Sequence, residues 1–450
     1  MVRRKCTFGL AAVLAAGSLL ASSAWAQQGN GVVVDANGVL ATKVFTDPTG
    51  QLTRQRLAAA KASLNPDLLK RSEMRYVSLT RLEARLASGA GVTDDMRYLA
   101  GLTRIRRVFI FPESGDVVIA GPAEGFMPNV AGRMVGLFTG RATLELQDLV
   151  VALRAYPPTG KQTEALVVSI DPTKEGLAKM QQFLIDIRGR ITPNDAGNIA
   201  AGLRQNLGLQ NVRIVGVSPK THFAQVLVEA DYRMKLIGIG LETAPVRIQS
   251  YVARANPRSV ARNALQRWYF TPNYDCVLMS PDALAMELQG DGVQLISEDQ
   301  MVEASGGRVA TGRTDPASQA FVKNFTDRYA ELARVEPVYA QMRNLIDMAI
   351  AAAFIQKHDY YGRASWKMDF FGSEEKFPVE THPAPTHVES TVNVVWKGMT
   401  LMTPIGGGVS IRPLQALSSE HLKTDDEGSL KKLRNSIPLD GLAKDQWWWD

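Results

Sequence analysis

Apolar and polar residues change period repeatedly along this chain, and each change marks an element. Val32-Val33-Val34 and Val39-Leu40 flank Asp35-Ala36-Asn37-Gly38, whose Asn-Gly step supplies the positive φ of a tight turn, so residues 31–45 read as a β-hairpin. A helix is predicted over 52–63, then one behind the capping-box pattern Thr80 and Glu83 ahead of Leu82 and Leu86, and a short one from Thr93-Asp94. Arg106–Phe111 and Asp116–Ala120 are apolar, strand-like runs separated by Pro112-Glu113-Ser114-Gly115, a second hairpin. After a helix over 144–155, the strand Ala165–Ile170 runs into Asp171-Pro172, read as an N-cap followed by proline in the first helical turn. The same device recurs at Thr192-Pro193, Asn256-Pro257 and Asp315-Pro316. Further hairpins are predicted from 211–218 with 222–230, and from 284–289 with 293–297. So many antiparallel hairpins packed with helices indicate an α+β fold.

Beyond a linker at 305–314, Phe321, Phe325 and Tyr329 fall on one helical face, Pro337 breaks that helix, and Val338, Met342, Leu345, Ala349 and Ala352 mark a second. The pair reads as a helical hairpin near 316–357. The apolar stretch Met348–Ile355 is too short to span a bilayer and reads as core. Strand candidates at 390–396 and 399–403, followed by Gly406-Gly407-Gly408, make the next segment β-rich. The run from Ser418 to Trp447-Trp448-Trp449-Asp450 is polar and of mixed charge, and reads as a loose tail whose tryptophans either dock back onto the parent domain or anchor a partner or lipid headgroup region. The expected organisation is a leader at 1–26, an N-terminal α+β domain at 27–160, a central α+β domain at 161–304, the helical hairpin and β-rich segment at 305–417, and the tail at 418–450.

The leader reading rests on the basic start Met-Val-Arg-Arg-Lys, an apolar run to Leu20, and Ala24-Trp25-Ala26, an A-x-A cleavage signal that places the cut after Ala26. The sequence therefore predicts export to the periplasm, cell envelope or medium. Cleavage removes three basic residues and no acid, lowering the net charge from +6 to +3. A near-balanced chain without a basic cluster and interleaved aromatics gives no electrostatic case for nucleic acid. Of the two cysteines only Cys276 remains, so no intramolecular disulfide is expected, and its apolar neighbours mark a buried thiol.

Chemistry is sparse. No GxSxG or GxSGG turn occurs, and the first histidine is His222, too late for the base of a trypsin-like hydrolase. Thr159-Gly160-Lys161-Gln162 lacks the earlier glycine and the hydroxyl of a phosphate loop, and Gly406-Gly407-Gly408 lacks dinucleotide spacing. No cofactor is expected. Glu380, His382, His387 and Glu389 are a concentrated set of metal-type ligands, but Pro383 and Pro385 forbid a helical ligand face and favour an exposed loop. In Gln225–Leu236, Glu229, Asp231, Arg233 and Lys235 alternate with apolar residues. This reads as a strand with a charged face, either solvated or a binding groove, with Asp231 as an alternative helix cap.

The stretches Phe111–Asp116, Ala120–Gly125, His222–Val228, Ala230–Lys235 and Pro404–Val409 resemble an uncharacterised family of exported bacterial proteins, a domain of unknown function. The resemblance supports the export reading and implies no activity, ligand or site residue. Two function classes stay open. One is a non-enzymatic binding or structural protein engaging envelope proteins or wall components, without a transmembrane segment in the mature chain. The other is a hydrolase or metal-dependent enzyme built from dispersed residues, which convergence of His382, His387 and a carboxylate in one pocket would favour.

Overall fold

Asp35 closes the first hairpin, its carboxylate accepting from the backbone N–H groups of Asn37 and Val39 while Gly38 takes φ +77°, and Val32–Val34 pairs antiparallel with Val39–Thr42. The computed structural model describes residues 31–187, 192–255, 264–302, 308–310, 315–393, 395–397, 400–402, 407–443 and 445–450. The leader with Ala24 and Ala26, the Asn256-Pro257 step and most of the 305–314 linker lie outside these residues. The fold is α+β. A nine-stranded mixed sheet runs in the order Val32–Val34, Val39–Thr42, His387–Glu389, Leu209–Val215, Leu166–Pro172, Gly408–Ile411, Ala264–Pro272, Val293–Val302 and Arg308–Ala310. A seven-stranded sheet runs Lys423–Thr424, Val277–Met279, Ala285–Leu288, Arg107–Phe111, Asp116–Ala123, Ser72–Ser78 and Trp448–Trp449. Strands from distant parts of the chain lie side by side in both, so backbone hydrogen bonds cross the expected boundaries near 160 and 304.

The helix Pro337–Lys357 is buried from Val338 to Ile355 and packs against the helices Leu146–Ala155 and His222–Gly238. Its apolar run is core, as its length demands. Among the described residues no helix is long and apolar enough to cross a membrane. Phe321, Phe325 and Tyr329 are buried together against Phe270 and Tyr339, and the Tyr329 hydroxyl donates to the Tyr339 carbonyl at 2.7 Å. Tyr329 starts a separate helix, Tyr329–Val335, after Pro316–Asp327. Cys276 is buried and unpaired, and burial pushes its thiol up to about 12, as an inert core cysteine requires.

Several local expectations give way to tertiary contacts. Ser78, not Thr80, caps the helix Leu79–Ala87 by accepting from the Arg81 N–H, and Glu83 instead accepts from Trp366 and the N–H groups of Phe370 and Phe371. Asp171-Pro172 stays in the strand, and Thr173 caps the following helix. Residues 285–288 and 293–302 are both strands but belong to different sheets, so they do not form a hairpin with each other. The expected partner strand after Pro219 is the helix His222–Gly238, capped by Thr221.

The C-terminal segment is packed, contrary to the expectation of a loose tail. Phe109 and Phe111 alternate with Val108 and Ile110 along one strand of the second sheet; the latter pair joins the main core and the former faces the opposite side. There Tyr76, Phe109, Phe111 and Val118 are covered by Leu430, Ile437 and Trp449, with Trp449 stacked on Tyr76 at 5.6 Å. The tail is the second layer over this sheet.

Candidate functional site

Two helix starts meet beside a cleft. Glu145 occupies the N-cap position of Leu146–Ala155 and Asp148 lies in its first turn, while His222 opens the helix His222–Gly238. Helix N-termini disfavour an imidazolium, so His222 depends on the acids beside it, while burial raises the Asp148 pKa above its ordinary value against the opposing charge of His222. His222 Nδ1 lies 2.8 Å from Asp148 Oδ2 and 3.8 Å from Glu145 Oε2. All three residues are buried. Burial alone would lower the His222 pKa, but the charges of Asp148 and Glu145 outweigh it and raise the value to about 9. At neutral pH, without other ligands, the imidazole therefore carries the proton.

The triad has its own supports. Glu145 Oε2 accepts from Gln147 Nε2 at 2.7 Å, and Oε1 lies 3.5 Å from Gln341 Nε2. Gln341 also accepts from Arg133, whose guanidinium reaches both oxygens of Glu229 at 2.5 Å. Asp148 Oδ1 is buried with no hydrogen-bond partner among the described residues.

The neighbouring cleft has a volume of about 880 Å³, and Glu145, His222 and His382 line it. Leu86, Val92, Met134, Phe370 and Phe377 supply an apolar wall; Arg56, Arg97 and Lys376 supply cations. The His382 ring lies 5.6 Å from that of His222. Burial and the positive charge of His222 push its pKa down to about 4, so His382 is neutral. Chemically, such a wall can hold an anion, move a proton, or donate ligands to a metal.

Only His382 of the sequence-derived ligand set reaches this cleft. His387 and Glu389 sit on the strand His387–Glu389, paired with Val39–Thr42 and Leu209–Val215, and Glu380 is exposed with its N–H donated to Glu374. The convergence of His382, His387 and a carboxylate that would favour a metal-dependent enzyme therefore does not occur; His382 lines the cleft beside His222 and Glu145, which the sequence did not single out. Glu229, Asp231, Arg233 and Lys235 lie on a helix rather than a strand, and their expected charged face is interior. Glu229 binds Arg133, Asp231 lies 3.1 Å from Lys235, and Arg233 bridges Glu242 and Glu336. Alternation mimicked a strand because charged residues on several sides of one buried helix find partners both on other elements, as Glu229 and Arg233 do, and on the helix itself, as Asp231 and Lys235 do.

Glu145 and Asp148 escaped sequence reasoning because 74 residues separate Asp148 from His222. The available signal was an acid inside an otherwise apolar helix, Leu149-Val150-Val151-Ala152-Leu153.

This architecture, an α+β fold with an acid–histidine cluster on a cleft wall, defines the class of protein by structure alone. Residues 168–251 match a family model described as a protein of unknown function (DUF1598). That span carries His222 but not Glu145, Asp148 or His382. No curated protein and no solved structure matches the chain.

Proposed function

We propose that this is an exported binding protein whose cleft captures a small amphipathic anion. The observation that carries this reading is the lining: an apolar wall beside Arg56, Arg97 and Lys376, against which Glu145 is the one acid among the described lining residues. A ligand with an apolar body and one carboxylate satisfies both surfaces, with few polar groups fixing its orientation. Export is supported by the residues of the leader, Arg3-Arg4-Lys5 through Ala24-Trp25-Ala26. N-terminal sequencing of the protein recovered from its native cells should read from Gln27; a start at Met1 would remove the export reading.

The ligand reading is tested with alkyl and aryl carboxylates against the matching alcohols, by calorimetry on the purified protein. A charge-assisted hydrogen bond contributes about 1.5–3 kcal/mol, so the best acid should bind roughly 10- to 150-fold more tightly than its alcohol. Replacing Arg56, Arg97 and Lys376 together by glutamine should erase that preference. Equal affinity for acid and alcohol, or a preference untouched by the triple variant, would refute the reading.

A further inference from the structure

We infer that Glu145, Asp148 and His222 form a binding site for a divalent metal ion of the zinc class, with His382 as a fourth ligand from the opposite loop. One ligand atom from each of the first three residues lies within 4.8 Å of the other two. Zinc bonds to nitrogen and oxygen of about 2.0–2.2 Å in a tetrahedron put ligand atoms roughly 3.4 Å apart. The distances from His222 Nδ1, 2.8 Å to Asp148 and 3.8 Å to Glu145, fall on either side of that value. The first three ligands therefore already lie near the spacing that a bound ion needs.

A second observation points the same way. Asp148 is 3% exposed, yet its Oδ1 has no hydrogen-bond partner among the described residues. A buried carboxylate oxygen without a partner costs free energy, and a cation between these groups supplies the missing interaction. The surroundings have the form of an outer shell, because Gln147 and Gln341 hold Glu145 and Arg133 in turn holds Gln341. The Thr381 hydroxyl lies 3.1 Å from His382 Nδ1, which leaves the other ring nitrogen for the ion. Since Glu145, His222 and His382 face the cleft, the ion has both an entry path and room for an exchangeable ligand.

Two imidazoles and two carboxylates balance the charge of a divalent ion. Their mixed nitrogen and oxygen donors suit zinc or its spectroscopic substitute cobalt, whereas calcium takes six to eight oxygens. The site stands without the organic ligand proposed above, although a metal here would also bind that ligand's carboxylate. Titrating metal alone separates failure of one reading from failure of the other.

The test uses the full mature protein after chelator treatment, titrated with Zn2+ and, in parallel, with Ca2+ and Mg2+ by calorimetry. The expected result is one equivalent of zinc, no stoichiometric calcium or magnesium, and a zinc-dependent rise in melting temperature. Asp148→Asn and His222→Ala should weaken zinc by more than about 100-fold and Gln147→Ala by about 10-fold, as inner and outer shells respectively. The triple variant Glu380→Gln/His387→Ala/Glu389→Gln should bind zinc as the unmodified protein does. Should Asp148→Asn fail to fold, Co2+ added to the unmodified protein and to His382→Ala decides: intense visible bands in the first that change in the second support the site. No stoichiometric zinc uptake by folded protein, uptake untouched by Asp148→Asn and His222→Ala, or a cobalt spectrum indifferent to His382 would each overturn it, leaving a buried ion cluster only.

Discussion

A chain ending at Leu417 is expected not to fold cooperatively. The missing residues carry Leu430, Ile437, Trp447 and Trp449, all buried, and the two-residue strands that pair with Ser72–Ser78 and Val277–Met279. Removing Trp449 alone costs about 3–5 kcal/mol by cavity formation. Losing the whole layer also exposes Tyr76, Phe109 and Phe111. The combined loss rivals the roughly 5–15 kcal/mol by which proteins are stable. Arg75 adds to it, because its fully buried guanidinium is held by the Asp450 carboxylate at 2.8 Å and lies over the Trp448 ring. Arg434 donates to the Ile110 carbonyl across the same interface. The experiment is thermal melting of the truncated protein, with Trp449→Ala as a milder companion. A truncated chain that melts within about 2 °C of the intact one would show that the segment contributes little to the core, and would restore it as a partner anchor.

Glu229→Gln is expected to destabilise the protein by about 3–5 kcal/mol, because it leaves Arg133 buried without its counter-ion. Both side chains are 2% exposed, and Arg133 contacts both oxygens of Glu229. Attraction and desolvation nearly cancel while the pair is whole, so replacing both residues by apolar ones of similar volume should cost less than either single change. A double-mutant cycle with Arg133→Met and Glu229→Leu, read by denaturant unfolding, checks this. Additive single effects would show that the charges do not depend on each other. Arg133 also holds Gln341, which lies against Glu145, so the single variant should reduce metal uptake along with stability.

The elements legible in the sequence are those whose causes are local. Asp35 and Gly38 determine the first hairpin within a few residues, and the Asp315-Pro316 pair starts the helix Pro316–Asp327 where expected. The apolar run of Pro337–Lys357 identified a core helix because its composition suits no other environment. The runs Arg106–Phe111 and Asp116–Ala120 were recognisable as strands from their β-branched and aromatic residues, and the structure places strands at Arg107–Phe111 and Asp116–Ala123. That the C-terminal segment covers the second face of these strands was decided only in the tertiary structure.

What tertiary structure decided depends on partners far away in sequence. Helix His222–Gly238 reads as a strand because Glu229, Asp231 and Lys235 look like solvent-facing charges until Arg133, the main chain of Ile170 and each other are placed beside them. Ser78 displaced Thr80 as a cap because Glu83 was drawn to Trp366 and the Phe370–Phe371 backbone. The same holds for the site. Residue types alone marked the Glu380–Glu389 loop, yet only His382 reaches the cleft, since strand pairing holds His387 and Glu389 in the sheet. Glu145 and Asp148 gain their chemistry when two helix starts converge on His222. A chain specifies locally which residues can be charged, but burial and the arrival of a distant counter-charge determine what those charges do.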